Sequence, residues 1–262
     1  MELEQHKQVI SQAVMEAGDI LFEKFKTFDR SKVQLKSLHE IVTEYDLLSE
    51  KIILSAIKEN FSDHAVLSEE KGANKKESDW LWAVDPIDGT TNFSMHNPIW
   101  AISVGLFFKK EIVLGVIYAP VLKEFYIAIK DKGVFLNDKP IKVSEISQGK
   151  VLNAFCHGYD EENIEKIISY FSQQKLHGFD CRQLGSAAIE LAFVSAGRLE
   201  SLVIPGANTW DVAAGILMVR EAGGKVTDFD NNEWQLKSKD MVASNALVHD
   251  QILQAIKTSQ NG

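Results

Sequence analysis

The stretch Trp82-Ala83-Val84-Asp85-Pro86-Ile87-Asp88-Gly89-Thr90-Thr91-Asn92-Phe93 joins an apolar run to two aspartates three residues apart and a Gly-Thr-Thr turn. The apolar run predicts a strand. Pro86 cannot donate to a sheet ladder, so the strand is expected to end near Asp85. Asp85 and Asp88 would then stand where the chain leaves the sheet. Gly89 permits a tight turn, and Thr90, Thr91 and Asn92 offer backbone N–H groups and hydroxyls. A helix starting here would turn its first N–H groups and its positive dipole end towards an anion. Most Asp-x-x-Asp pairs only cap turns, but the flanking Pro and Gly-Thr-Thr weigh against that here. Carboxylates for a hard cation beside donors for phosphate point to metal-assisted phosphate chemistry.

Upstream, residues 3–28 space their apolar side chains as an amphipathic helix does, and Thr43–Phe61 repeats the pattern. Thr43 is placed to cap the second helix, with Asp46 in the capping-box position. Asp46 on its own would simply complement the helix dipole. Ala65–Ser68 reads as a short strand leading into Glu69-Glu70. Downstream, Trp100–Phe108, Ile112–Tyr118 and Glu124–Ile129 read as an antiparallel meander, followed by a hairpin over Gly133–Val143. After about residue 150 strands and helices alternate: strands at Val151–Phe155, Leu176–Cys181, Leu199–Ile204, Lys225–Thr227 and Met241–Ser244, helices at Asn163–Phe171, Ser186–Ala196, Trp210–Ala222 and Ala246–Lys257. Two parts are expected, 1–145 (helices plus an antiparallel sheet) and 146–262 (an α/β half), with Ser144–Gly149 as the boundary.

Composition narrows the function. The 262 residues are 45% hydrophobic, which suits a globular chain with a sizeable core. A formal net charge of −9 argues against nucleic acid or a membrane surface as partner. It also sits awkwardly with an anionic substrate unless divalent cations intervene. Two cysteines, Cys156 and Cys181, and no signal peptide suggest a reducing, cytoplasmic setting and two buried thiols. No apolar run reaches membrane-spanning length.

Several other residues invite attention. Glu69 gains weight if its strand neighbours the one ending at Asp85. Asp211 falls in the first turn of a helix, where a carboxylate is favourable anyway, and Trp210 reads as core. Gly185-Ser186-Ala187 opens a helix with Ser186 as cap. The seven histidines show no metal-type spacing. Asp228–Glu233 resembles the start of a calcium loop but lacks its Gly and closing Glu, so it reads as a surface turn.

Taken together, Val42–Asp46, Ser68-Glu69-Glu70, Trp82–Phe93, Gly185–Ala188 and Trp210–Gly224 resemble the inositol monophosphatase family of magnesium-dependent, lithium-sensitive phosphatases. The resemblance implies an α/β layered sandwich, α-β-α-β-α, of the sugar-phosphatase type, a homodimer, and two or three Mg2+ ions between the halves. It implies that Glu69, Asp85 and the Ile87 carbonyl hold one ion, that Asp85, Asp88 and Asp211 hold a second, and that a third lies near Glu69. Gly89, Thr90 and Thr91 would bind phosphate. Asp46 and Thr90, with Glu69, would serve catalysis by orienting the attacking water. Gly185, Ser186 and Ala187, with Glu69, Asp88 and Asp211, would contact the substrate.

Elementary electrostatics agrees. Two carboxylates about 5 Å apart repel by roughly 3 kcal/mol at an effective dielectric near 20. Five of them (Asp46, Glu69, Asp85, Asp88, Asp211) would repel a phosphate dianion until cations enter. Two positions depart from the family. Glu40 stands where Asp is frequent, and Ile204 stands where inositol-specific members carry a substrate-contacting Glu. An apolar side chain cannot accept hydrogen bonds from substrate hydroxyls. The reaction expected is therefore hydrolysis of a small polyol or sugar phosphate, with fructose bisphosphate, NADP or a nucleotide bisphosphate as alternatives. A catalytically inactive metal-dependent binding or regulatory protein is the competing class. The presence of every motif carboxylate and of Thr90 argues against it.

Overall fold

The computed structural model describes residues 2–35 and 41–260, so Glu40 lies outside the described residues. The elements run α1 (Glu2–Phe25), β1 (Gln34–Leu35), β2 (Ile41–Val42), α2 (Glu44–Asn60), β3 (Ala65–Ser68), β4 (Gly72–Ala73), β5 (Trp80–Asp88) and α3 (Thr90–Ser94). There follow β6 (Ala101–Phe108), β7 (Glu111–Ala119), β8 (Glu124–Ile129), β9 (Gly133–Leu136), β10 (Lys139–Pro140), β11 (Leu152–Phe155), α4 (Glu161–Leu176) and β12 (Asp180–Arg182). The chain closes with α5 (Ala187–Ser195), β13 (Ser201–Ile204), α6 (Thr209–Glu221), β14 (Lys225–Thr227), β15 (Met241–Ser244) and α7 (His249–Gln260).

Three apolar cores hold five layers together. The apolar faces of α1 and α2 (Ile10, Val14, Leu21, Ile53, Ile57) meet one face of an eight-stranded sheet ordered β10-β9-β8-β7-β6-β5-β3-β4. The other face of that sheet meets α5 and α6, which also cover a five-stranded sheet ordered β12-β11-β13-β15-β14. Beyond it, Ile167 and Tyr170 of α4 and Ile252, Leu253 and Ile256 of α7 close the far side. This is the layered α/β sandwich anticipated. The middle helices are apolar all round, as two buried faces require: α5 is buried from Ala187 to Leu191 and α6 from Val212 to Val219.

Close approach of α6 to the first sheet depends on two glycines facing each other across strands, Gly105 on β6 and Gly115 on β7. A Cβ on Gly105 would stand 2.7 Å from Ala213 Cβ, and one on Gly115 would stand 2.7 Å from the Ala214 carbonyl oxygen. Helix and sheet backbones therefore touch at that point, two to three residues after Asp211.

Three details differ from the sequence expectation. The first sheet is mixed, because β3 runs parallel to β5 while its other pairs are antiparallel. β5 does not stop at Asp85. It resumes pairing at Asp88, with Asp85 opposite Ser103 and Asp88 opposite Ala101, so one extra residue is accommodated around Pro86. A bulge absorbs a proline without requiring its missing N–H. Thirdly, α4 continues through Leu176, which leaves only Asp180–Arg182 as the following strand. Leu176 is 83% exposed, so its apolar character reflected no buried strand.

Candidate active site

The bulge explains why two aspartates three apart can act together. In an uninterrupted strand, residues i and i+3 point to opposite faces. One extra residue restores the parity, and Asp85 and Asp88 both face the same cavity. The bulge is held from both sides. The Ser49 hydroxyl on α2 donates to the Pro86 carbonyl at 2.9 Å, and the Ile87 N–H donates to Asp85 Oδ1 at 3.0 Å.

The parallel β3–β5 ladder delivers Glu69. Ser68 lies opposite Val84, and the Glu69 N–H donates to the Val84 carbonyl at 3.1 Å, which sets Glu69 beside Asp85. After burial, the charge of the adjacent Glu69 is the next cause that raises the Asp85 carboxyl. Asp211 comes from the first turn of α6, steadied by the Asn208 amide at 3.1 Å. Asp88 is clasped by the α5 cap. The Ser186 hydroxyl donates to Asp88 Oδ2 at 2.5 Å and the Ala188 N–H at 2.6 Å. Ser186 also accepts from the Ile189 N–H at 3.3 Å, so it caps the helix and binds Asp88 at once.

The cavity these acids face has a volume of about 590 Å³. Glu69, Glu70, Asp85, Asp88 and Asp211 line it, together with Ile87, Gly89, Thr90, Thr91, Gly185 and Ala187. No lysine or arginine is among its described lining residues. Ser186 is buried beneath that lining rather than part of it. Asp46 is also buried beneath it, but it reaches the cavity through Thr90. The capping box predicted at Thr43 is present, with Asp46 Oδ2 accepting from the Thr43 N–H at 2.7 Å and its hydroxyl at 2.6 Å. Asp46 Oδ1 lies 3.0 Å from the Thr90 hydroxyl, which is also 2.9 Å from the Ile87 carbonyl.

Burial sets the protonation of these groups. It pushes Asp46 and Asp88 up to about 6, although the hydrogen bonds from Thr43, Thr90, Ser186 and Ala188 pull the other way. Asp85 lies well above the usual carboxylate range, through burial first and then the charges of Glu69, Asp88 and Asp211. Asp211 is raised likewise, by burial and then by Asp88 and Glu69. Asp85 and Asp211 thus respond to the other acids of the cavity. Among the described residues, no group of three or more His, Cys, Asp or Glu side chains is arranged to hold an ion as it stands. The acids and the Ile87 carbonyl form an oxygen donor set, which fits a hard divalent ion.

Gly89 makes the turn at the cavity floor with φ +91°, a left-handed backbone where glycine is favoured. The helix that follows it, α3, spans only five residues, so its macrodipole is short and any anion binding there falls to individual N–H groups.

Sequence reading missed several contributors. The Asn92 amide donates to the carbonyls of Ile99 (2.7 Å), Leu184 (2.8 Å) and Gly185 (3.2 Å), tying the turn after β5 to the loop before α5. Buried Glu190 accepts from the Leu184 N–H at 2.6 Å and steadies the same loop from inside. The sequence names Asn92 only as a donor at the turn, not as a bridge between loops, and nothing hinted at Glu190. Trp210 and His157 line the cavity, where Trp210 reads from sequence as core and His157 has no role. Cys181 is buried as expected, but Cys156 is only half-buried and lines the cavity. Burial raises the Cys156 thiol well above its usual range, and adjacent Glu190 adds to this, so it is a poor nucleophile. Ile204 lines the cavity at the end of β13. Glu200 does not substitute for the missing acid. Its carboxylate is spent on the Ser144 hydroxyl (2.8 Å) and the Leu152 N–H (2.6 Å).

The fold is a layered α/β sandwich with an acidic, oxygen-lined cavity between its two large sheets. The chain belongs to the inositol monophosphatase family, whose profile matches residues 2–261. It is 34% identical over 251 residues, 94% of this chain and 93% of the relative, to Nus factor SuhB of Pasteurella multocida. It is 37% identical over 217 residues, 83% of this chain and 82% of the relative, to fructose-1,6-bisphosphatase/inositol-1-monophosphatase of Thermotoga maritima. The solved inositol monophosphatase of Anabaena (Nostoc) sp. superposes with a TM-score of 0.87 at 31% identity, covering 98% of this chain and 97% of that one. Family membership supports a phosphatase. Among the described residues no helix is long and apolar enough to cross a membrane.

Proposed function

We propose that this protein is a magnesium-dependent phosphomonoesterase acting on a small polyol or sugar phosphate in the cytoplasm, as a homodimer. One observation carries the reading: five carboxylates line a single cavity without a lysine or arginine among its described lining residues, next to the Gly89–Thr91 donors. Such a cavity repels phosphate unless it first takes up divalent cations. Glu69, Asp85, the Ile87 carbonyl, Asp88 and Asp211 would hold two or three ions. Bound magnesium supplies charge neutralisation at the phosphoryl group and acidifies water.

The chain's own residues do the rest. Gly89, Thr90 and Thr91 hold the phosphoryl oxygens by N–H and hydroxyl donors. Thr90 donates its hydroxyl proton towards Asp46 or the Ile87 carbonyl, which leaves its lone pair facing the cavity to accept a hydrogen bond from water. That water attacks phosphorus, the P–O ester bond breaks, and the leaving alkoxide oxygen takes up a proton from solvent in the open cavity and departs as the alcohol. The proton lost by the water moves towards the Thr90–Asp46 pair. Burial holds Asp46 near the pH at which it can take up a proton. Gly185, Ala187 and Ile204 face the alcohol end, and Ser186 holds Asp88 in place.

Ile204 widens the substrate range. It offers no hydrogen bond to inositol hydroxyls, so sugar bisphosphates such as fructose bisphosphate are expected beside inositol phosphates. Lithium, competing for one cation position, is expected to inhibit. The deciding experiment is phosphate release from inositol monophosphate, fructose bisphosphate, NADP and adenosine bisphosphate, titrated with magnesium and with EDTA. Equal turnover in EDTA and in magnesium would reject the reading. So would full activity of an Asp88→Asn preparation.

A further inference from the structure

A second cavity, of about 410 Å³, opens between the C-terminal half of α2 and the β3–β4 hairpin. That is within the size range of small-molecule sites. Its walls are apolar, with Leu54, Ile57 and Phe61 from the helix side and Val66 from β3. Its charged lining is of one sign. Lys58, Lys71 and Lys76 line it and no Asp or Glu does, in a chain whose net charge is −9. All three lysines are exposed. Lys71 Nζ makes an ion pair with buried Glu50 at 3.2 Å, and the Lys76 ammonium donates to the Ser62 carbonyl.

One further lining atom is unaccounted for. The Ser68 side chain is 0% exposed and its Oγ has no hydrogen-bond partner. A buried hydroxyl without a partner costs on the order of 1–3 kcal/mol, so the strand end that leads into Glu69-Glu70 carries an unmet polar cost. Ser68 immediately precedes Glu69-Glu70 and Lys71 immediately follows them. The two cavities therefore share one turn, with Glu69 and Glu70 lining the first and Ser68 and Lys71 lining the second.

We infer that this second cavity binds a small amphiphilic carboxylate, its apolar body between α2 and Val66 and its charged head among Lys58, Lys71 and Lys76, and that occupancy steadies the turn bearing Glu69 and Glu70. Apolar walls with a lysine rim select this chemistry. An uncharged amphiphile forgoes the charge-assisted bonds, and a small polar anion forgoes the burial. The inference is independent of the proposed phosphatase activity, because it concerns the metal-free chain.

Octanoate is the probe, titrated into the metal-free full-length protein and followed by calorimetry and by backbone amide resonances. Octan-1-ol and acetate are the paired controls. Octanoate is expected to saturate and to shift the Glu69, Glu70 and Lys71 amides along the same isotherm. Octan-1-ol should bind about tenfold more weakly, and acetate should not saturate. Lys58→Glu and Ala73→Trp alter exposed positions on the rim, leave the fold intact, and should each weaken octanoate by about tenfold. The inference is overturned if octanoate does not saturate, if both variants bind it as wild type does, or if the Glu69 and Glu70 amides do not move.

Discussion

Replacing Gly89 by alanine tests how rigidly the cavity floor is built. Gly89 has φ +91°, which costs an alanine about 1–2 kcal/mol. Its new Cβ would stand 2.9 Å from the Ile99 carbonyl oxygen, 3.0 Å from the Gly185 carbonyl oxygen and 3.3 Å from Ser186 Cβ. The first two obstacles are backbone, and Asn92 holds both carbonyls, so neither can swing aside as a side-chain end would. Overpacking of this kind adds about 1–3 kcal/mol. Gly133 isolates the backbone contribution, since it has φ +89° and an added Cβ there would meet nothing within 4 Å. Gly133→Ala should therefore lose about 1 kcal/mol and Gly89→Ala about 3 kcal/mol, the latter lowering Tm by roughly 5–10 °C. Relief of the clash would push Gly185 and Ser186 away from Asp88, so phosphatase turnover should fall by about tenfold or more. Urea denaturation of both variants reads the difference directly. Unfolding free energies agreeing to within about 0.5 kcal/mol would refute the claim that the floor is jammed between two backbones.

Three further outcomes are expected. With divalent ions chelated, the raised Asp46 and Asp88 (about 6) and the likewise raised Asp85 and Asp211 bind more protons folded than unfolded, so stability falls as pH rises from about 4 through their folded values. Asp46 alone can account for up to about 3 kcal/mol. The rise in Tm on adding magnesium should thus be larger at pH 8 than at pH 5, and equal increments would count against the cluster. His249 is buried and held down to about 4, by burial first and then by Lys225. Its contribution is complete above about pH 6.5 and is lost as pH falls towards 4, by up to about 3 kcal/mol. Between pH 7 and pH 4.5 the wild-type urea midpoint should fall relative to that of His249→Asn at the same pH; parallel curves would dismiss it. Asn92→Ala, which frees three carbonyls, should cost about 2 kcal/mol in the same assay, and a loss below about 0.5 kcal/mol would contradict the bridging role assigned to it.

The sequence disclosed whatever depends on local rules. Thr43 and Asp46 announced a capping box because its chemistry is confined to one turn, and Asn137-Asp138 announced a hairpin because both adopt positive φ. The bulge at Pro86 was not legible. A proline ends a strand when only its own missing donor is considered, but the neighbouring β6 kept pairing beyond it and Ser49 on α2 secured the bulged peptide. The parallel pairing of β3 with β5, which carries Glu69 to Asp85, is likewise a tertiary fact. Residues 69 and 85 are brought together by the sheet and not by their spacing. Glu190 and Asn92 do their work on carbonyls and N–H groups from other parts of the chain, and backbone partners leave no residue-type signature in a single sequence.

The facing glycines Gly105 and Gly115 have a consequence for how the acidic cavity tolerates change. Contacts through long side chains can be retuned by choosing other rotamers, but peptide planes resting on one another have no such adjustment. Asp211 begins the helix seated on that contact, so the gap across which it confronts Asp85 is gauged by main-chain thickness. A single methyl group inserted at Gly105, remote from any reacting atom, would act as a shim and lift one wall of the cleft away from the other.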